Sequence, residues 1–509
     1  MDTVIILTSY LVLGLVVAFL FLNVVHQSTF LPPGPKGTFF SGVQHQLPKN
    51  EPWKKYAEWS KEFQSPVISF RVYNETVIVL NELKSVRDLL ERRSHIYSDR
   101  PLSWMLSVIC GRAKAIFNIS SSDPRHRKYR QLFQTEVGER AMKRYWEMMR
   151  EELRTMLDGL EKTPDEWQQH IIRNYASVIM RLTFGYKIHS LDDPFIQSTE
   201  ETGKISGWAT APGRWLVNYY TILRFVPSFL PGTGWKRQGH AWRERLRTLS
   251  QIPHNWVKEQ MAKGSYEPSF TSRLLQGDGD CVSNISTEEE DIIQWCAGGL
   301  YAGATHTTIS ALTSFVLLMA LHPQVQQKAQ REIDLVFNQN QQSGFIDTPD
   351  LARLPMLKYL TVVMKEVLRF APVGNLALPH RLVVDDEYMG FRLPRGATVI
   401  PNIWAIMHDP ELYPDPFVFS PERFAMDDQP DPRQFAYGFG RRSCPGSHFA
   451  ETTILLAMAG ILARFHIDSK EKGFEGRAVV TPQNVEFTTG LTSHIKPFPI
   501  HITPRKFDS

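Results

Sequence analysis

The chain has 509 residues, of which 42% are hydrophobic and 22% charged, and its formal net charge is +4. This is an ordinary globular composition, and the small charge, without an arginine-rich arm or lysine block, speaks against nucleic acid as a partner. Cys110, Cys281, Cys296 and Cys444 are scattered with no C-x-x-C pair, which speaks against a zinc site or disulfide scaffold and fits a reducing compartment.

Residues 4–25 contain no Asp, Glu, Lys or Arg. About 20 apolar residues suffice to cross a bilayer core. A cleaved signal peptide would want a basic start and a small-residue cleavage site. Only Asp2 precedes the stretch and no A-x-A follows it, so residues 1–28 are expected to be an uncleaved membrane anchor. Lys36, Lys49, Lys54 and Lys55 follow the span and none precedes it, which places the body in the cytosol. Residues 29–37, rich in Pro32, Pro33 and Pro35, read as a stiff extended hinge. Residues 38–509 read as the globular body.

Residues 67–80 are β-rich and read as a strand pair turning near Asn74-Glu75. Residues 85–337 are mainly helical in pattern. Ser286 and Thr287 precede Glu288, Glu289 and Glu290, a capping-box start. The helix it opens can run to His322, about 50 Å at ~1.5 Å per residue. Residues 292–327 lack Asp, Glu, Lys and Arg, so a second membrane span competes with a buried core helix. Gly298, Gly299, Gly303, Thr305, His306, Thr307, Thr308 and Ser310 in its middle favour the core helix, with backbone close to a ligand. After Arg381 strands and loops return, until a last helix near residues 447–465. The expected fold is mainly α with a small β-rich lobe, preceded by one transmembrane helix.

The most specific segment is Tyr437-Gly438-Phe439-Gly440-Arg441-Arg442-Ser443-Cys444-Pro445-Gly446. A thiolate bound to haem iron needs backbone N–H donors around its sulfur, which set its potential. Gly438, Gly440 and Gly446 allow the close turn. Pro445 suits the first position of a helix whose N-terminus favours a negative sulfur, and Arg442 can pair with a propionate. The segment resembles the cytochrome P450 signature F-x-x-G-x-R-x-C-x-G, with Tyr437 where the family usually has Phe. Its hydroxyl needs a partner.

Other segments carry the same resemblance. Glu366 and Arg369, three apart on one helix face, match E-x-x-R. With Arg423 of Pro421-Glu422-Arg423-Phe424, the resemblance implies a buried network supporting the cysteine loop. Gly303-Ala304-Thr305-His306-Thr307-Thr308 is similar to [AG]-G-x-[DE]-T-[TS]. Thr307 falls on the oxygen-activating threonine, and His306 stands where an acid is usual. A histidine can move protons near neutral pH, although a hydrogen-bonded core role is equally open to it. His126 and Arg130 match the W-x-x-x-R helix with His for Trp, and His380 matches a propionate contact. By family position the pocket wall is formed by Met105, Ile109, Phe117, Ala302, Gly303, Val373, Leu376 and Leu491.

The resemblance, closest to filamentous-fungal secondary-metabolism members, implies haem b ligated axially by Cys444 and O2 as cosubstrate. No G-x-G-x-x-G opens a helix, so electrons from NADPH are expected through the membrane-bound NADPH–cytochrome P450 reductase, with cytochrome b5 as a second donor. Arg125, Arg127, Lys128 and Arg441 would meet an acidic partner face. The implied location is the endoplasmic reticulum membrane, single-pass, with the catalytic domain cytosolic. The implied activity is hydroxylation of a small lipophilic metabolite, a polyketide, terpenoid or indole-type alkaloid. Oxidative ring closure, desaturation or rearrangement without net oxygen insertion is the alternative, and a haem-based binding or sensor protein is the reading from another class.

Overall fold

The computed structural model describes residues 30–190, 192–277, 285–337, 348–426, 428–469, 485–496 and 498–505. The expected anchor over residues 1–28 lies outside the described residues. Helices dominate, and eight short strands form three small sheets.

Strand β1 (Val67–Val72) and β2 (Glu75–Leu80) form the expected hairpin, with Val67 opposite Leu80 and Val72 opposite Glu75. It is apolar on both faces because it is buried on both. Val67, Ile78 and Leu80 enter one core, while Ile68, Phe70, Val72, Val77 and Val79 enter another with Tyr56 and Trp59. The late chain adds β3 (His380–Arg381), the β4 (Asp386–Tyr388) and β5 (Phe391–Leu393) hairpin, and β6 (Thr398–Pro401). β6 pairs parallel to β2 and antiparallel to β3, giving the order β1-β2-β6-β3. The crossover between β2 and β6 is the helical body itself, so this sheet joins two distant parts of the chain. β7 (Phe465–Ser469) and β8 (Ile500–Pro504) pair separately.

Helix Thr287–Leu321 runs through the largest core. The Ser286 hydroxyl accepts from the Glu289 amide and the Glu289 carboxylate accepts from the Ser286 amide, the reciprocal pattern that satisfies orphan donors at a helix start. Among the described residues it is the one helix long and apolar enough to cross a membrane, but 78% of its apolar window is buried within the protein. It is therefore the core helix. Helices Trp167–Phe184 and Ser447–Arg464 pack against it.

Residues 30–37, within the stiff extended hinge expected over residues 29–37, run along the body. The Ser69 amide donates to Pro33 O (3.0 Å), its hydroxyl to Pro32 O, and the Arg392 amide to Phe30 O (2.8 Å). Prolines lack the N–H needed inside a sheet, but their carbonyls still accept, and here they extend along β1.

Candidate functional site

The last core helix begins at Ser447 with Gly446 as its cap. Pro445 therefore lies in the turn before the helix rather than at its first position. Ahead of it, Gly440 has φ 54°, and a Cβ there would lie 2.3 Å from Leu90 O. Only glycine fits this left-handed, tightly packed position. The loop is closed by the Cys444 amide donating to Tyr437 O at 2.7 Å. The Cys444 side chain is exposed and lines a cavity of about 2270 Å³. Burial raises its thiol pKa, while the Gly446 amide and Arg130 oppose the rise. The Gly446 amide is a donor that a bound thiolate would use, and Arg130 acts through its charge.

Around the cysteine stands a group of arginines and histidines with few counter-charges. Helix Pro124–Val137 buries His126, Tyr129 and Phe133 along one face, which turns Arg130 inward, where it donates to Ser443 O. Arg442 donates to Ser98 O (2.7 Å), Ile116 O (3.3 Å) and Ile119 O (2.6 Å). On β3, the His380 ring meets Tyr97 O at 2.8 Å through Nδ1. All four line the cavity. Burial pushes His126 down to about 4, helped by Arg442, Arg130 and Arg100, and His380 down to about 3, helped by Arg100. Burial likewise lowers Arg442 to about 10, with Asp99 opposing.

Arg100 belongs to the same group and was missed in the sequence. Its Nη1 donates to Leu378 O (2.8 Å) and Pro379 O (2.7 Å), but its Nε is buried without a partner. Burial and Arg442 lower its pKa to about 9. The available signal was Arg100 before Pro101, since a residue preceding proline is held extended. An unpartnered buried donor among convergent cations, beside a thiol facing a cavity, suits a haem: two propionates answer the cations and iron answers the sulfur. Tyr437 fits less completely. Its hydroxyl is buried with no partner, and burial raises its pKa.

The long helix supplies the opposite wall. Ala302, Gly303, His306 and Thr307 line the cavity. The Thr307 hydroxyl donates to Gly303 O at 3.0 Å, so its lone pairs remain for a donor in the cavity. A Cβ on Gly303 would stand 2.9 Å from the Phe117 ring. His306 meets His494 edge-to-face, with ring centroids 6.1 Å apart. His494, also missed in the sequence, is lowered to about 4 by burial and then by His306.

Phe117, Val373, Leu376 and Leu491 line the cavity as well. Met105 and Ile109 do not. Residues Trp104–Ile109 form a π-helix, whose wider turn of about 4.4 residues places positions four apart on one face. That face packs against Gly239, and Leu106 reaches the cavity instead.

Glu366 and Arg369 are fully buried. Arg369 donates from Nε and Nη2 to the two Glu366 oxygens at 2.7 and 2.8 Å, and Arg423 Nε reaches Oε1 at 3.2 Å. The two arginines also grip the carbonyls of Met407, Pro414, Pro416 and Val418. The network therefore fixes the irregular segment that leads to the cysteine loop, rather than touching the loop. On the outer face, Arg127, Lys128 and Arg441 are exposed. Arg125 is not available with them, because it is paired with Asp291.

The profile of the family described as Cytochrome P450 matches residues 32–487. A cytochrome P450 monooxygenase, claR, of Ampulloclitocybe clavipes is 35% identical over 97% of this chain and 90% of its own length. The tryptamine 4-monooxygenase of Psilocybe cyanescens is 33% identical over 93% of each chain. A third relative, the cytochrome P450 monooxygenase ppsD of Aspergillus oryzae, is 34% identical over 93% of this chain and 89% of its own.

Proposed function

From the premise that this chain belongs to the cytochrome P450 family and is a monooxygenase, we propose that it hydroxylates a small lipophilic metabolite, a polyketide, terpenoid or indole-type alkaloid, in a fungal biosynthetic pathway. The observation that carries this reading is the Cys444 sulfur opening into an interior cavity beside Arg100, His126, Arg130, His380 and Arg442.

Those five residues would hold haem b, and the Cys444 sulfur would bind its iron. When bound, the haem supplies the redox-active iron at which O2 is reduced and activated. The chain's own residues supply the rest. Thr307 offers a hydroxyl whose hydrogen is committed to Gly303 O, leaving Oγ1 to accept from water and hold a proton in the cavity. His306 carries a ring able to take or give a proton beside it. Ile116, Phe117, Ala302, Val373 and Leu376 wall off water and orient an apolar substrate. The acid-to-histidine change at His306 favours a second reading, oxidation without net oxygen insertion. Labelled O2 separates the two: label in the product supports hydroxylation, and its absence supports ring closure or desaturation.

Electrons would come from NADPH–cytochrome P450 reductase, with cytochrome b5 as a second donor, docking on Arg127, Lys128 and Arg441. Residues 1–28 would anchor the protein in the endoplasmic reticulum membrane with the body cytosolic. An apolar surface supports membrane contact: Phe39, Phe40, Ile222, Phe225 and Phe229 are all exposed. They lie on connected segments, since Gly213 adjoins Gln44 and the Tyr219 ring meets that of Tyr73 with centroids 4.9 Å apart. The haem-ligand assignment is tested by the absorption of the reduced carbonyl complex. The thiolate-type band should be present in the native protein and absent in Cys444→Ala; a variant that kept it would refute the assignment.

A further inference from the structure

Among the described residues six arginines are buried: Arg100, Arg112, Arg173, Arg181, Arg369 and Arg464. Four of them have carboxylate partners. Arg173 and Arg181 pair with Glu152, Arg369 with Glu366, and Arg464 with Asp158 and Glu161. A buried cation is costly unless a negative charge and hydrogen bonds compensate it, so this pairing is the expected state. The two exceptions, Arg100 and Arg112, both line the cavity. Arg100 is accounted for by the haem-side cluster. Arg112 is not.

The Arg112 side chain lies on a different wall. It rests over the Trp295 ring at 4.7 Å, and Nη1 reaches Leu246 O and Ser250 Oγ, each at 3.4 Å. Both bonds are long and both acceptors neutral, whereas a guanidinium offers five donors. Arg112 is 7% exposed. Burial lowers its pKa to about 10, and the one group that opposes the fall is the Cys110 thiol. Arg100, Arg130 and Arg442 perturb one another or His126, and Arg112 is outside that set. The carboxylates that line the cavity are engaged elsewhere, Glu75 with Thr398 and Glu200 with Lys204.

We propose that Arg112 recognises a carboxylate on the substrate, so that the substrate is an amphipathic acid. This rests on the monooxygenase reading above and narrows its substrate class. Trp295 is one turn of the long helix before Gly299, and Gly299 is followed two turns later by Thr307. About 18 Å of helix separates Trp295 from Thr307 at ~1.5 Å per residue. The acid would place its carboxylate beside Trp295 and Ser250, and its apolar body against Ile116, Phe117 and Gly303. The oxidised carbon would lie roughly 18 Å along the helix from the carboxylate. A bidentate guanidinium–carboxylate pair in this shielded position supplies both affinity and orientation.

The test is a spectral titration of the full-length, haem-loaded ferric protein with hexadecanoic acid and with methyl hexadecanoate at neutral pH, reading the spin-state shift. The acid should bind at least tenfold more tightly than the ester. Arg112→Gln should lose that preference by weakening the acid alone, and Arg112→Lys should keep part of it. Equal affinities, preference for the ester, or no shift from either probe in the native protein would overturn the proposal without need of a variant. Preference for the acid retained in a haem-loaded Arg112→Gln protein would also overturn it. Failure of the monooxygenase reading is seen separately, as a missing thiolate-type carbonyl band before any ligand is added.

Discussion

Replacing Glu366 by Ala should destabilise the protein more than almost any other single carboxylate change. Glu366 accepts from Arg369 Nε and Nη2, from Arg423 Nε, and from the Ser420 amide at 2.9 Å. Arg369 is fully buried, so removing its counter-charge strands a cation in the core. Breaking a buried pair from one side typically costs about 3–5 kcal/mol. With an unfolding entropy of about 2 cal/mol/K per residue, a body of this size loses on the order of 1 °C per kcal/mol. Glu366→Ala should therefore lower the melting midpoint of the haem-loaded protein by about 3–5 °C. Because Arg369 and Arg423 hold the carbonyls of residues 407–418, the thiolate-type carbonyl band should also decay faster at a fixed temperature. Glu58→Ala, which removes the exposed Lys55–Glu58 pair, is the control and should leave the midpoint unresolved from native. An unchanged midpoint and an unchanged decay in Glu366→Ala would refute the reasoning.

Thr307→Ala should lower product formation on the order of 100-fold while NADPH consumption continues, and Thr307→Ser should restore coupling; product and NADPH measured together decide it. Gly303→Val should weaken binding of bulky substrates without loss of haem, because its Cβ would meet the Phe117 ring at 2.9 Å; spectral titration checks this. His408 is buried against Trp404, and burial, then Arg369, lowers its pKa to about 3. The unfolded chain binds this proton from about pH 6.5 downward while the folded protein stays neutral, so stability is full above that pH and falls toward pH 3. His408→Asn should remove about 2 kcal/mol of the loss between pH 6.5 and 5, read from denaturant midpoints at the two pH values.

Legibility in the sequence followed how local the cause was. The ends of the long helix could be read from Ser286, Glu289 and Pro323 because capping and proline chemistry act within a few residues. The β1–β2 hairpin was legible for the same reason. Met105 and Ile109 were misplaced because a π-helical turn changes which side chains share a face, and nothing in the composition of that segment announces it. Arg125 looked like part of a basic face until Asp291, far along the chain, was found beside it. The parallel pairing of β2 with β6 depends on a crossover of the whole body, which periodicity does not encode. Arg100, Arg112 and His494 were invisible for a related reason: what distinguishes a side chain buried without a counter-charge is its surroundings in three dimensions.

The docking of residues 30–37 along β1 bears on how the enzyme would meet its substrate. With a span over residues 4–25, four residues separate its end from Phe30, a slack of about 10–15 Å at ~3.5 Å per residue. Such a tether leaves the body little freedom to tilt or to turn over on the membrane. The cavity lining reaches Leu31, Gln44 and His45, beside residue 30, where an anchor over residues 1–28 would join the body. A molecule dissolved in the bilayer would then find the entrance by searching a surface rather than a volume, and its concentration in lipid, not in the cytosol, would set the rate at which the site fills.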